Sequence, residues 1–545
     1  MAAAKRAQAD PASGVSPDEI ACDALVVGSG SAGLVAALVC ASAGLRTVIV
    51  EKAPVIGGTT ALSGAGTWIP ANHHAAAAGL RDSPDDAFRY LCASAPPGWQ
   101  ARQAPLWRSF VDHAPAMLRF VEERTPLLFA LAPGADLVPS AEGAREAGRM
   151  LAPMPLRPAI LGLLAASLRP PLFPHIYTYQ EAVTADLYGH PVAAAIRYAP
   201  KLLWRLLTGR RTKGTALVVG LLRGCLDAGC TVLTGTRATG LLMDPQAGRI
   251  VGAWVEREGR KVRIHATRGT VLATGGFEWD AARLQEHFPG PVDFLASPPT
   301  NTGDGHRMAE DVGAELALME QANIGPALPM AADPRAQGLS VFFHRQPGII
   351  LVDRDGHRFV DEHRVNLGEV LDRRDPVTGL PVHLPAWLVA DSRFERHSPV
   401  FRFYARRKPG WLIRERSLAA LAGRISVPAA ALAETVERYN AMCAAGRDVD
   451  FGRRAMRRID GPLFVAVPFN RSITSTKGGP RTNVDGQVLR PDGSVVDGLY
   501  CAGVAMANPI GTRGVGSGTT IGPNMTWGYI CGRHITCDRK RAIMN

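Results

Sequence analysis

Between Asp23 and Glu51 two apolar runs flank one glycine-rich break. Residues 24–27 are short and wholly apolar, of strand type. Gly28-Ser29-Gly30-Ser31-Ala32-Gly33 follows at once. Residues 34–43 are apolar and alanine-rich, as a buried helix is, and residues 45–50 form a second strand-type run ending on Glu51. The pattern predicts strand, tight turn, helix and strand, with the G-x-G-x-x-G spacing of dinucleotide sites. Gly28 permits the turn, Gly30 lets a pyrophosphate approach the backbone, and Gly33 lets the helix lie close on the strand. The helix N-terminus, at Ser31 and Ala32, presents N–H groups and a positive dipole end to phosphate. Glu51 stands 18 residues past Gly33, where a carboxylate accepts hydrogen bonds from ribose.

Farther along, the patterning changes several times. Lys52 is followed by two glycine clusters, Gly57-Gly58 and Gly64 with Gly66, with the hydroxyls of Thr59, Thr60 and Ser63 between them. Such a segment suits close backbone contact with a long, extended ligand. Residues 75–130 read as helical, with Ser83 as N-cap, Pro84 at the first helical position and Asp85 and Asp86 in the first turn. Residues 156–169 are an apolar stretch bounded by arginines, and Trp204 and a basic run at 210–213 follow. Three readings of this region stay open: contact with an anionic membrane surface, packing on the protein, or an apolar flap over a substrate. Residues 215–285 return to α/β character, with a helix over 215–228, a strand over 231–234 and a hairpin over 249–266. A buried strand then ends on Ala273-Thr274-Gly275. Residues 286–457 read as an inserted domain, with Asp304 as helix cap or ligand contact and a hairpin over 347–362 turning at Asp355-Gly356. Residues 458–545 return to the first domain through a strand ending on Gly503 and a glycine-rich loop leading by Gly518, Thr520 and Ile521 into a helix over 524–534. The expected organisation is a disordered tail over 1–21, a nucleotide domain over 22–285 carrying a helical insertion at about 75–213, the inserted domain, and a closing part over 458–545.

Composition narrows the partners. With 46% hydrophobic and 20% charged residues the chain is globular. Its net charge of +12 admits an anionic surface or acidic substrate. No metal-ligand spacing and no interleaved basic–aromatic array is present, so neither a metal nor nucleic acid is expected. Nine scattered cysteines suggest free thiols in a reducing compartment. The first 20 residues lack the apolar core of a signal peptide and no apolar run reaches the roughly 20 residues of a membrane span. The expected location is the cytoplasm, with contact at the inner face of the membrane as one reading of 156–213.

In this order the segments GSGSAG, EKAPVIGGTT, SGAGTWIP, NTGDG, PGIILVDRDGHRFVDE, TKGGPRTN, GLYCAGV and GSGTTIGPNMTWGY resemble the 3-ketosteroid dehydrogenase branch of the fumarate reductase-type flavoproteins. The resemblance implies an α/β fold: a Rossmann-like FAD-binding domain of glutathione reductase type, interrupted by an α+β substrate domain of fumarate reductase type. It implies non-covalent FAD, since no histidine stands between Thr59 and Ser63. It also implies dehydrogenation of a CH–CH bond beside a carbonyl, on a steroid-like ketone, with hydride passing to the flavin and on to an unidentified acceptor. The Gly518 N–H would polarise the ketone, and Ser517 aligns with a serine of the related delta-4(5-alpha) enzymes. The family's catalytic tyrosines, however, map to Gly514, to the neighbourhood of Asn366 and to residues 136–140, and none is present. Arg513 and Arg364 lie near arginines that fumarate reductases use, which makes an enoate or enone reductase the alternative. An FAD-binding electron carrier is a third. Tyr177 and Tyr179 could bring a phenol from the flap.

Overall fold

The computed structural model describes residues 19–544 except 188–189, 330–337, 341–342, 365, 397–398 and 407–409. Most of the expected tail lies outside the described residues. β1 (Glu19–Val27), α1 (Ser31–Ser42) and β2 (Thr47–Val50) form the opening unit. β1 runs parallel to β2 on one side and to the strand Arg260–Leu272 on the other, with Val27 opposite both Val50 and Leu272. Val495–Cys501 adds a further parallel strand, Cys501 opposite Leu272, and Thr231–Leu233 extends the sheet beyond β2. Four strands therefore end at one level. Their carboxyl ends release Gly28, Glu51, Ala273 and Ala502 along one edge, the place where open α/β sheets take their ligands. Helices cover the sheet, so β2 is wholly buried and wholly apolar save Thr47. α1 is buried on every side from Ser31 to Ala41, which explains its small, apolar, non-amphipathic sequence. The sequence-expected hairpin forms from Arg249–Arg257 and Arg260–Leu272. The second of these is one continuous strand, not two.

The insertion after β2 is helical only in part. Pro84–Ala93 starts where expected, with the Ser83 side chain accepting from Asp86 N–H, and Trp99–Arg124 follows. Beyond it, Phe129–Leu131 and Met150–Pro153 join Thr67–Trp68 in a small sheet.

A second body is built on an antiparallel sheet of Ile349–Val352, Ala386–Asp391, Phe464–Phe469 and Ile413–Glu415. Phe343, Phe394 and Trp411 pack in the core on one side of it, and Leu421, Leu432 and Tyr439 in the core on the other. Phe464–Phe469 lies beyond residue 457, so this sheet takes a strand from the segment read as the return to the nucleotide domain. Of the hairpin expected over 347–362 only the turn and one antiparallel bridge form, between Val352 and Arg358. Ile349–Val352 pairs with Ala386–Asp391 instead, and the turn at Asp353–Gly356 leads into a buried ionic knot. There Glu362 accepts from Arg358, Arg453 and Leu351 N–H. A carboxylate turned inward to two guanidiniums cannot stand in a ladder facing outward. The strand Ser472–Thr476 pairs with Phe294–Leu295 and Ala322–Gly325 and leads to Lys477.

Candidate active site

Two cavities meet where the second body faces the carboxyl edge of the large sheet. The first follows that edge. Gly28, Gly30, Ser31 and Ala32 line it at the first turn, and Glu51 and Lys52 at the end of β2. Gly58, Thr59, Thr60 and Ser63 form one wall, Ala273, Thr274 and Gly275 another, and Asp304, Gly503, Thr520 and Ile521 complete it. Gly33 and Gly57 are not at its wall; they shape it. Gly28 has φ +113°, and a Cβ on Gly33 would stand 2.1 Å from the Gly28 carbonyl oxygen, so the helix can start this close to the strand only with glycine at both places. Gly57, also at φ +113°, donates its N–H to Ser29 Oγ at 2.9 Å. Ser29 Oγ in turn donates to Glu51 Oε2 at 2.5 Å, and Ala53 N–H donates to Oε1 at 2.9 Å. Glu51 is thereby fixed, with acceptor capacity left over, since a carboxylate has about four lone-pair directions.

Asp304 is not the helix cap that the sequence suggested; Gly303, at φ +70°, holds that position. The Asp304 carboxylate instead ties the domain together, accepting from Lys52 Nζ at 2.9 Å and from Arg237 at 3.0 and 3.1 Å. Burial pushes its carboxyl up, but the hydrogen bonds from Arg237 and Lys52 outweigh it and hold the group at about 2. Two buried polar atoms in this cavity's wall, Thr274 Oγ1 and Asn524 Oδ1, have no protein partner among the described residues. Orphaned buried groups are rare in a finished site, and here they face the space a dinucleotide would take.

The second cavity, of about 330 Å³, shares Thr59, Ser63, Thr520 and Ile521 with the first. Gly64, Gly66, Ser517 and Gly518 line it rather than the first. Its size is that of a small-molecule site. Leu137, Asn366 and Gly514, which mark the three missing tyrosines, all line it. They lie together: a Cβ on Gly514 would be 2.9 Å from Leu137 Cδ1 and 3.4 Å from Asn366 Cβ. The three positions to which the resemblance assigns tyrosines therefore share one corner.

The loop 509–518 is held from every side. Trp107 Nε1 donates to Pro509 O, Asn366 Nδ2 to Thr512 O, and Tyr90 Oη to Val515 O. Behind it, Asp136 accepts from Trp68 Nε1 and from Arg149; burial raises its carboxyl, and the Arg149 charge opposes the rise without cancelling it. Gly518, at φ +90°, packs against Gly66, where a Cβ would come within 2.4 Å of the Gly66 carbonyl carbon. Its own carbonyl accepts from Trp68 N–H at 3.1 Å.

The two arginines separate. Arg364 is half exposed, pairs with Glu369 at 3.4 Å and lines neither cavity. The expectation that it joins Arg513 on a substrate fails, because its loop carries it outward. Arg513 is buried and belongs to the second cavity's wall, but its Nη1 donates to Leu91 O at 3.1 Å and its guanidinium lies 4.8 Å over Trp107. Burial depresses it to about 10, with the charge of Glu369 opposing. Tyr179 reaches the cavity from the start of the helix Tyr179–Thr184 and Tyr177 does not; the Tyr179 ring would touch a Cβ on Gly64 at 3.3 Å.

Sequence reasoning missed Lys477. It is 3% exposed, lines the second cavity and donates Nζ to Gly511 O at 2.7 Å. Burial, and then the Arg513 charge, lower it to about 8. In the sequence it stood inside the TKGG segment without a marker. Also missed is a convergence of His73, His74 and Glu122 away from both cavities, invisible because Glu122 lies far along the chain.

A doubly wound sheet with a capping body, and a substrate-sized cavity opening onto a dinucleotide cavity, define a flavin oxidoreductase. The chain belongs to the FAD binding domain family, whose model matches residues 23–521, and with it to the superfamily of 3-ketosteroid dehydrogenases and fumarate reductase flavoproteins. It is 35% identical to 3-oxosteroid 1-dehydrogenase of Mycobacterium tuberculosis, over 94% of this chain and 98% of that one. It is 34% identical to 4-oxocyclohexanecarboxylate 2-dehydrogenase of Sinomonas cyclohexanicum, over 94% and 92%. The crystal structure of 3-ketosteroid delta1-dehydrogenase from Sterolibacterium denitrificans, in complex with 1,4-androstadiene-3,17-dione, superposes with a TM-score of 0.85 at 29% identity, covering 95% of this chain and all of that one. The protein is thus an FAD-dependent oxidoreductase acting on CH–CH groups. The nine cysteines are free, and no helix among the described residues is long and apolar enough to cross a membrane.

Proposed function

We propose that the enzyme dehydrogenates the CH–CH bond beside the carbonyl of a 3-ketosteroid-like or other apolar cyclic ketone. The observation that carries this reading is the second cavity: among the described residues no acidic side chain stands in its wall, and it meets the cofactor cavity at Thr59, Ser63, Thr520 and Ile521. FAD, when bound, supplies the hydride acceptor. The first turn, Glu51 and the wall from Gly58 to Ser63 would hold its adenosine and pyrophosphate, and Thr520 and Ile521, at the start of the C-terminal helix, its ring.

This chain's own residues would then do three things. Gly518 N–H binds the ketone oxygen and stabilises the enolate charge as it develops. Tyr179, the one tyrosine among the described residues that line the substrate cavity, takes the proton from the α carbon in place of the absent tyrosines. Lys477 and Arg513 put positive potential on the same wall, which favours the enolate. The fumarate-reductase-like alternative needs two arginines on one carboxylate, and Arg364 is out of reach. The electron-carrier alternative leaves a substrate-sized cavity without a use. Residence in the cytoplasm, an external acceptor such as a quinone or flavoprotein, and peripheral contact with a membrane through residues 156–213 belong to the same proposal. The test is incubation of the holoenzyme with a saturated 3-ketosteroid and a redox dye. A ring-unsaturated ketone should form in step with dye reduction; turnover of unsaturated carboxylic acids alone, with reduced dye as donor, would favour the reductase.

A further inference from the structure

Away from both cavities, two neighbouring histidines close on one carboxylate. His73 and His74 open the short helix His73–Ala77, and Glu122 stands near the C-terminal end of Trp99–Arg124. His73 Nε2 lies 2.8 Å from Glu122 Oε2. His74 Nε2 lies 2.8 Å from Oε1 and 3.1 Å from Oε2. Adjacent side chains on a helix diverge by about 100°, yet both rings turn to the same carboxylate, 4.2 Å apart and tilted by 36°.

The surrounding backbone fixes all three residues. Asn72 is buried and caps the helix, accepting from Ala75 N–H at 2.8 Å. Its amide donates to Ile69 O at 2.8 Å and to Gly148 O at 2.7 Å. Ala71, at the left-handed φ of +51°, donates its N–H to Asp82 Oδ2 at 2.8 Å. On the other side Phe129 N–H donates to Glu122 Oε1 at 2.8 Å. The carboxylate is only 10% exposed, and the rings 27% and 26%. Arg119, three residues before Glu122, also bears on His73, but less than Glu122 does.

Two imidazole nitrogens and a carboxylate oxygen are the donor set of three-ligand zinc sites. Ligands about 2.0–2.1 Å from an ion at tetrahedral angles stand about 3.3 Å from one another. The 2.8 Å contacts here need open by only about half an ångström to admit the ion, and the partly exposed rings leave a fourth position to water. Magnesium and calcium ask for six or more oxygen ligands and are poorly served by imidazole.

We infer that His73, His74 and Glu122 form a binding site for one divalent cation of the zinc class. The inference does not rest on the proposed reaction, since none of the three residues lines either cavity. Its consequence is mechanical. The helix His73–Ala77 follows Thr67–Trp68, and Trp68 packs behind Gly516 and bonds Gly518 O. A bound ion would tie this segment to the end of Trp99–Arg124, and so brace the wall behind the loop 509–518.

The test is calorimetric titration of the FAD-loaded full chain, made without a histidine tag and stripped with a chelator, with zinc and separately with magnesium. The expected result is one zinc per chain with a Kd at or below about 1 µM, and no uptake of magnesium. Glu122→Gln keeps an oxygen for Phe129 N–H; it and His74→Ala should each weaken zinc binding at least about tenfold, with FAD content unchanged. Zinc at a hundredfold excess over its Kd should raise the Tm of wild type by roughly 2 °C, and of neither variant. Cobalt in place of zinc should show tetrahedral d–d bands without thiolate charge transfer. Wild type that takes up no zinc overturns the proposal and leaves a hydrogen-bonded cluster. Zinc bound equally well by both variants, or cobalt bands of thiolate type, place the ion elsewhere and also overturn it. Magnesium bound as tightly as zinc overturns the class of ion.

Discussion

Replacing Lys477 with methionine should remove a pH-dependent stability penalty and lower activity. Folding buries the ammonium against Gly511 O and beside Arg513, and its pKa falls from the 10.5 usual for lysine to about 8. At about 1.4 kcal/mol for each tenfold change in proton affinity, holding that charge inside costs roughly 3 kcal/mol at neutral pH. The sign follows from linkage. The folded state gives up the proton near pH 8 and the unfolded chain only near 10.5. The penalty is therefore full below pH 8 and fades as the pH rises toward 10.5. Methionine never carries the penalty, although it leaves the Gly511 carbonyl without its donor at about 1–3 kcal/mol. That second cost is the same at every pH, so the difference between the two proteins isolates the charge. Urea unfolding of both, followed by release of flavin fluorescence, should show wild type gaining about 2–3 kcal/mol on Lys477→Met between pH 7 and pH 10. Over the same substitution the rate of flavin reduction by ketone at pH 7 should fall on the order of a hundredfold, the usual loss for one preorganised charge or donor. A stability difference that does not move with pH would refute the buried ammonium. An unchanged rate would refute its part in stabilising the enolate.

Tyr179→Phe should keep its FAD and slow flavin reduction by about 10²- to 10⁴-fold, read by stopped flow; a loss under about threefold would remove Tyr179 from the reaction. Gly33→Ala places a methyl 2.1 Å from the Gly28 carbonyl oxygen and should yield folded protein without flavin, checked by the visible spectrum beside circular dichroism. Gly518→Ala must accept a left-handed φ and a Cβ within 2.4 Å of Gly66; it should retain less than about one hundredth of wild-type turnover. Arg364→Ala should leave turnover within about twofold, since surface pairs of its kind contribute little.

The opening unit was legible because each requirement had its own residue: glycines at three fixed steps, an apolar helix and a terminal acid. The strands ending at Leu272 and Cys501 were legible for the same reason, each an apolar run followed by glycine. The second body was less so. Glu362 reads as the polar end of a hairpin strand, and only the distant Arg453 shows that it turns inward. Arg513 and Arg364 looked like a pair because both lie near arginines that fumarate reductases use; the fold places one over Trp107 and leaves the other half exposed beside Glu369. Lys477 could not be found by pattern, because its burial depends on the strand Ser472–Thr476 threading between the two bodies. Tyr179 was noticed only as one of two phenols in its segment, and its place in the cavity wall selects it over Tyr177.

The central claim is that this cavity passes two electrons from a ring ketone to the flavin although the family's tyrosines are gone. Anaerobic mixing of the oxidised holoenzyme with a panel of saturated 3-ketosteroids tests it most directly. The account predicts bleaching of the flavin's visible band and formation of the ring-unsaturated ketone in equal amounts. A flavin that stays oxidised with every ketone, yet is re-oxidised by an unsaturated carboxylic acid after chemical reduction, would contradict it.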